Sequence, residues 1–108
     1  MSLSIDHIIL DRNKIMQVFE NNSDKLRVYG IKQIGLFGSY ARDEQKEDSD
    51  VDIIVDFEEG KLNFRNYMGL ALFLEDLLNK RVDLVIQKDL REEIRPNVME
   101  DVKYAPIQ

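Results

Sequence analysis

The spacing of apolar residues near the start of the chain predicts a helix over residues 11–29. Apolar positions recur there every three or four residues, which places them on one helical face. Asp11 supplies an N-cap, and Asn21-Asn22-Ser23 is expected to break the helix in two. Gly30 then ends the helical region.

Three later segments have the pattern of β-strands. The clearest is Val51–Phe57, where valine, isoleucine and phenylalanine alternate with a second set of residues that includes Asp52 and Asp56. Ile31–Phe37 and Val82–Ile86 are the other two predicted strands. Glycine flanks the first on both sides, and Arg81 precedes the second. The sequence therefore predicts three strands.

Helices are expected between and after these strands. A short helix is predicted over residues 40–45, and a longer helix over residues 63–80. The residues that widen its apolar stripe fit the core or, alternatively, a partner or dimer contact: Met68, Leu72 and Phe73. The remainder is predicted to be a helical, charged tail interrupted by Pro96. The order α, β, α, β, α, β, α indicates an α/β (α+β) fold with one small mixed sheet flanked by helices.

Length and charge limit the classes of function that remain. The 108 residues fit one domain, 1–108, and the net charge of −6 disfavours stable binding to nucleic acid. The chain has no cysteine and one histidine, His7, which argues against zinc sites and histidine-based catalysis. It contains neither an apolar run of about 20 residues nor a signal-peptide pattern, so we expect a cytoplasmic protein without a membrane segment.

Two acidic residues flank the start of the clearest strand. Asp50 and Asp52 are two residues apart, so extended backbone places both on one face, with Cα atoms about 6.6–7 Å apart. Carboxylates held this close repel one another unless a proton or a cation lies between them. Magnesium prefers such oxygen ligands, usually one or two carboxylates completed by phosphates and water. The pair also fits the solvated face of a half-exposed strand.

A candidate phosphate-binding turn precedes this acidic pair. Gly38-Ser39 lies where a strand is expected to turn into a helix, and backbone N–H groups at such a turn bind anions. Glycine lets a phosphate approach the backbone, and the Ser39 hydroxyl adds a donor, although Ser39 alone also fits a helix N-cap. The intervening ten residues would bring the phosphate site and the acidic pair face to face across a small cleft.

Two further charged residues complete the candidate site. Asp83 lies in a predicted strand with apolar neighbours on both sides, and Arg42 follows the Gly38-Ser39 turn at a distance that fits a phosphate contact. Each also fits ordinary surface ion pairs: Asp83 with Lys80 or Arg81, and Arg42 with Asp43, Glu44 or Glu47.

Taken together, these residues resemble the signature of the nucleotidyltransferase superfamily that includes DNA polymerase β. The signature is Gly-Ser, ten residues and Asp-x-Asp, here Gly38-Ser39 and Asp50-Val51-Asp52. The surrounding residues look like the minimal nucleotidyltransferase (MNT) branch of this superfamily, and the likeness extends over about residues 31–96.

The resemblance implies a nucleotidyltransferase fold and a role for each site residue. Asp50 and Asp52 would bind two Mg²⁺ ions, and Asp83 would help to hold the catalytic ion and to orient or deprotonate the attacking hydroxyl. Gly38-Ser39 would bind the triphosphate of ATP, with Arg42 beside it.

The resemblance also implies a partner. MNT proteins of this size are commonly antitoxins encoded beside a HEPN-domain ribonuclease toxin, and several transfer AMP from ATP to a tyrosine of that toxin. A protein adenylyltransferase acting on a HEPN-domain toxin, in a homo- or hetero-oligomer, is therefore the function implied.

One residue departs from the family pattern, and two alternatives stay open. Asp43 stands where the family usually has glycine, and a positive φ there would strain an aspartate. This departure favours the first alternative, a non-catalytic module that neutralises its partner by occlusion. The second alternative is a nucleotidyltransferase subunit that acts on a small molecule in a pocket completed by its partner.

Overall fold

A four-stranded mixed sheet forms the frame of the molecule. The computed structural model describes residues 9–107, so His7 lies outside the described residues. The strands are arranged in the order β3-β2-β1-β4, and their bounds are β1 Ile31–Phe37, β2 Val51–Phe57, β3 Val82–Ile86 and β4 Lys103–Ala105. β1 is antiparallel to β2 and β4, whereas β2 is parallel to β3. The three predicted strands and the mixed sheet are confirmed.

Within the described range, five α-helices accompany the sheet. They are α1 Arg12–Asn21, α2 Ser23–Arg27, α3 Gly38–Ala41, α4 Phe64–Leu78 and α5 Arg95–Asp101, and a 3₁₀ turn spans Gln87–Asp89. The side chain of Asp11 accepts a hydrogen bond from the Lys14 amide and caps α1. Asn22 interrupts the helical region between α1 and α2. Both features confirm the sequence prediction. α4 supplies the crossover that the parallel strands β2 and β3 require.

The main core lies on one face of the sheet. Four residues of β2 belong to it, Val51, Ile53, Val55 and Phe57, as the alternation predicts. Apolar residues of α1, α2 and α4 pack against them, among which Phe19, Leu26 and Leu74 are fully buried. Ile54 points to the opposite face and is also fully buried, because α5 and the 3₁₀ turn pack on that side of β1 and β2. The second face of the sheet is therefore partly covered by α5 and the 3₁₀ turn.

The residues that widen the apolar stripe of α4 divide into two groups. Phe73 packs against the core, and its ring centroid lies 5.4 Å from the ring centroid of Tyr29. Met68 and Leu72 remain 37% and 57% exposed. The alternatives of core and surface thus apply to different residues of the same helix. No helix within residues 9–107 is long and apolar enough to cross a membrane.

Two details of the sequence prediction are wrong. The short helix expected over residues 40–45 begins at Gly38 and ends at Ala41, because the chain turns at Asp43. The C-terminal region is not only a helical tail interrupted by Pro96. Pro96 lies in the first turn of α5, where its missing N–H costs no hydrogen bond, and β4 follows this helix. A strand of three residues carries too little alternation to be separated from a loop.

Candidate active site

Asp52 and Asp83 lie side by side on neighbouring strands. The parallel register pairs Asp52 with Asp83, so both side chains point to the second face from strands about 4.8 Å apart. Asp83 is exposed, whereas Asp52 is partly buried. Asp50 precedes β2 by one residue, and its Oδ1 lies 3.8 Å from Nε of Arg81. The three acidic residues predicted from the sequence therefore lie at the same end of β2 and β3.

The crowding of these carboxylates changes the protonation of Asp52. Burial, and then the charges of Asp83 and Asp50, raise the pKa of Asp52 to about 6. Arg42 acts in the opposite direction. A carboxyl group that retains its proton under mild acid lies where negative charge is not neutralised, which is where a bound cation is most favourable.

The donor set fits magnesium when a substrate completes it. Within residues 9–107, no three histidine, cysteine, aspartate or glutamate side chains lie close enough together to hold a metal ion by themselves. Magnesium usually takes one or two carboxylates and completes its shell with phosphate oxygens and water. The site residues offer carboxylate oxygens, which suit magnesium better than zinc. They would therefore hold the ion together with the phosphates of a nucleotide.

Gly38 places the predicted phosphate-binding turn directly against Asp52. The antiparallel register pairs Phe37 with Asp52, and Gly38 follows with a φ of 74°. A Cβ atom on Gly38 would lie 2.9 Å from Cγ of Asp52 and closer still to its carboxylate oxygen. No other residue fits there unless the carboxylate moves. The structure thus brings the turn and the acidic residues into contact.

α3 presents Ser39 at the front of this turn. The side chains of Tyr40 and Ala41 are buried, and Nη1 of Arg12 donates to the Ala41 carbonyl over 2.8 Å, which fixes the far end of the helix. The N-cap position belongs to Phe37 and not to Ser39, and the described structure has no side-chain hydrogen bond at this cap. The first-turn N–H groups are therefore not used by a capping side chain.

Asp43 occupies a position that favours glycine. Its φ is 61°, its amide donates to the Tyr40 carbonyl over 3.2 Å, and the Glu44 amide donates to the Ser39 carbonyl over 2.8 Å. These two bonds form a Schellman motif, in which the left-handed residue is usually glycine. The backbone at Asp43 therefore has the positive φ that was considered from the sequence.

Asp43→Gly is expected to stabilise the protein by about 1 kcal/mol, because glycine adopts a positive φ without the clash that an L side chain meets. Urea denaturation measures the change. The turn geometry stays the same, so nucleotide affinity should not change. A variant with unchanged or lower stability would show that the Asp43 side chain contributes a compensating interaction.

Two carboxylates hold the Arg42 side chain. Nε donates to Glu44 Oε1 over 3.0 Å, and Nη1 donates to Asp101 Oδ2 over 2.7 Å. The hydrogen bond to Asp101 and then that to Glu44 raise the pKa of Arg42. Glu44 was one of the partners considered from the sequence. Asp101 was missed, because it lies 59 residues away and only the unpredicted strand β4 shows how the chain returns.

Comparison with known proteins identifies the same family. The family model described as "Nucleotidyltransferase domain" matches residues 15–106. The protein adenylyltransferase MntA of Thermococcus cleftensis is 42% identical over 98 residues, which cover 90% of this chain and 98% of that protein.

Solved structures agree with this result. One assigned to the minimal nucleotidyltransferases has a TM-score of 0.75 and 34% identity, over 87% of this chain and 95% of that chain. Another comes from the complex of a tri-AMPylated Shewanella oneidensis HEPN toxin with an MNT antitoxin. It has a TM-score of 0.58 and 29% identity, over 82% of this chain and 70% of that chain. The chain therefore belongs to the nucleotidyltransferase domain family, in its minimal branch together with MntA, and is a nucleotidyltransferase.

Proposed function

We propose that this enzyme transfers AMP from ATP to a tyrosine hydroxyl of a HEPN-domain toxin and thereby acts as its antitoxin. The observation that carries the catalytic part is the contact between the Gly38 turn and Asp52, beside Asp83. The N–H groups of this turn are not used by a capping side chain, and crowded carboxylates lie next to them. Such a turn suits a nucleotide bound through its phosphates and a divalent cation. The relatives support the rest, since one is named a protein adenylyltransferase and another is in complex with an AMPylated toxin.

The turn is proposed to bind the triphosphate. The first-turn N–H groups of α3 and the Ser39 hydroxyl would donate to phosphate oxygens, and Arg42 would add positive charge. Because Gly38 has no side chain, the phosphates can lie close to the backbone and to Asp52 at the same time. The α-phosphate is thereby held next to the acidic residues.

The carboxylates are proposed to bind magnesium and to receive the acceptor. Asp50, Asp52 and Asp83 would hold the Mg²⁺ ions together with the nucleotide, and the ions would supply charge that neutralises the phosphates. Asp83 is exposed on the edge strand β3, so an acceptor hydroxyl can reach it and give up its proton there. The acceptor oxygen bonds to the α-phosphorus, the bond from this phosphorus to the bridging oxygen breaks, and pyrophosphate leaves.

Binding of the magnesium–nucleotide complex is expected to weaken as the pH falls below about 6. The pKa of Asp52 without metal is about 6, so below this pH a proton must leave before the carboxylate can bind a cation. Each further pH unit should cost roughly tenfold in affinity. Calorimetric titration in buffers of different ionisation enthalpy should detect proton release near pH 5 and little near pH 7.5. An affinity that is constant over this range would contradict the assignment of Asp52 as a metal ligand.

Mass spectrometry tests the proposed reaction and its acceptor together. The enzyme would be co-expressed with the product of its neighbouring gene, and the purified pair incubated with ATP and magnesium. Intact masses should show one or more added AMP groups on the partner, and none when the enzyme carries Asp50→Asn and Asp52→Asn. A tight complex in which neither chain gains mass would contradict the proposal and indicate neutralisation by occlusion.

A further inference from the structure

The guanidinium group of Arg42 is held in one orientation before any nucleotide binds. Its bonds to Glu44 and Asp101 occupy the N–H on Nε and one N–H on Nη1. A guanidinium carries five N–H donors in one plane, so three are left, two of them on Nη2. Within residues 9–107, Nη2 of Arg42 makes no hydrogen bond. The charge of Arg42 partly offsets the rise in the pKa of Asp52. The guanidinium group therefore lies within electrostatic reach of Asp52.

The position of Asp101 is fixed by the sheet. Asp101 is the last residue of α5, and β4 begins two residues later at Lys103. Lys103 pairs with Leu36 of β1, which lies two residues before Gly38. The pairing of β4 with β1 therefore keeps Asp101 beside the phosphate-binding turn. Its side chain is only 22% exposed, compared with 66% for that of Glu44.

We propose that Asp101 is a positioning residue, which holds Arg42 so that its remaining N–H donors face the triphosphate of the nucleotide. This inference rests on the proposed function, because it assigns the same nucleotide to the turn. A free arginine side chain on the surface loses much rotamer entropy when it binds a phosphate. The bond to Asp101 imposes that order beforehand, and preorganised groups bind more tightly for this reason. The planar fork of the guanidinium keeps the other donors in a fixed direction.

A double-mutant cycle on nucleotide affinity tests this role. Binding of magnesium and α,β-methylene ATP, which cannot transfer AMP, would be measured by calorimetry without the partner. Asp101→Asn should weaken binding by roughly threefold to tenfold, as expected for one charge-assisted contact. Asp101→Asn should have no further effect in a protein that already carries Arg42→Ala. Asp101→Glu should restore part of the affinity, and Glu100→Gln, a change at the exposed neighbour, should leave it unchanged.

Three results would overturn the inference. Equal or tighter binding by the Asp101→Asn protein would show that Asp101 competes with the phosphates for Arg42. An equal loss in the Arg42→Ala background would show that Asp101 acts through the fold instead. If the unaltered enzyme bound no nucleotide at all, the proposed function would fail together with this inference. The first two results would leave the proposed function intact.

Discussion

Asp52→Asn will abolish AMP transfer and, at the same time, stabilise the metal-free protein. The loss of transfer should be roughly a thousandfold or more, because the variant removes the carboxylate that lies against both the Gly38 turn and Asp83. The gain in stability arises because the folded-state pKa of Asp52, about 6, exceeds its ordinary value of 3.8. Protonation of Asp52 thus favours the fold, and this contribution is lost as the pH rises through about 6.

The stability difference should depend on pH in a defined way. At about pH 7.5 the ionised Asp52 destabilises the metal-free fold, and asparagine removes this charge, for a gain of about 1 kcal/mol after allowance for solvent screening. At about pH 4 the gain should largely disappear, since Asp52 is then protonated in the folded protein. Urea denaturation in the presence of a chelator measures both values.

Asp56→Asn is the matched control for this variant. Asp56 lies on the same strand and face, four residues farther along, and its Oδ2 lies 3.7 Å from Nζ of Lys32. This variant should retain transfer. Loss of transfer in both variants, or a less stable Asp52→Asn protein at about pH 7.5, would contradict the account of the site.

Gly38→Ala is expected to reduce transfer by at least a hundredfold while the protein still folds. The methyl group would enter the space of the Asp52 carboxylate and displace it from the turn, and small displacements of reacting groups cost about this much. The positive φ of 74° adds a conformational cost of about 1–2 kcal/mol for an L residue. Transfer rate and free energy of unfolding should therefore both fall.

Gly60→Ala separates these two effects. Gly60 also has a positive φ, 78°, but nothing lies within 4 Å of the position that its Cβ would occupy. This variant should lose similar stability through backbone strain and keep its transfer activity. If Gly38→Ala transferred AMP at the rate of Gly60→Ala, close contact between the turn and Asp52 would not be needed for catalysis.

The sequence predicted those parts of the fold in which patterning extends over a full element. β2 alternates over seven residues, and α1 begins at a capping aspartate, so both could be located without coordinates. β4 has three residues and is defined by its pairing with β1, which is a long-range contact that no local pattern encodes. The bounds of α3 were wrong for a related reason, since the Schellman motif at Asp43 ends the helix earlier than its composition suggests.

The candidate site divides in the same way. Spacing in the sequence was enough to propose Gly38, Asp50, Asp52 and Asp83 as site residues. The pairing of β1 with β2 and of β2 with β3 brings the ends of these strands together. The contact between Gly38 and the Asp52 carboxylate required the structure, as did the raised pKa of Asp52. Asp101 reaches Arg42 only because β4 returns the C-terminal segment to the sheet, so no local sequence motif predicts this contact.

The most direct test of the central claim is to follow the two ends of ATP separately. The enzyme and its co-expressed partner would be incubated with magnesium and ATP that is radiolabelled at either the α- or the γ-phosphate, and the partner then separated under denaturing conditions. If the enzyme transfers AMP to its partner, the α-label becomes covalently attached to the partner and the γ-label appears in pyrophosphate. Asp52→Asn should prevent both. Transfer of the γ-label to the partner, or inhibition of the toxin with neither label attached, would contradict this claim.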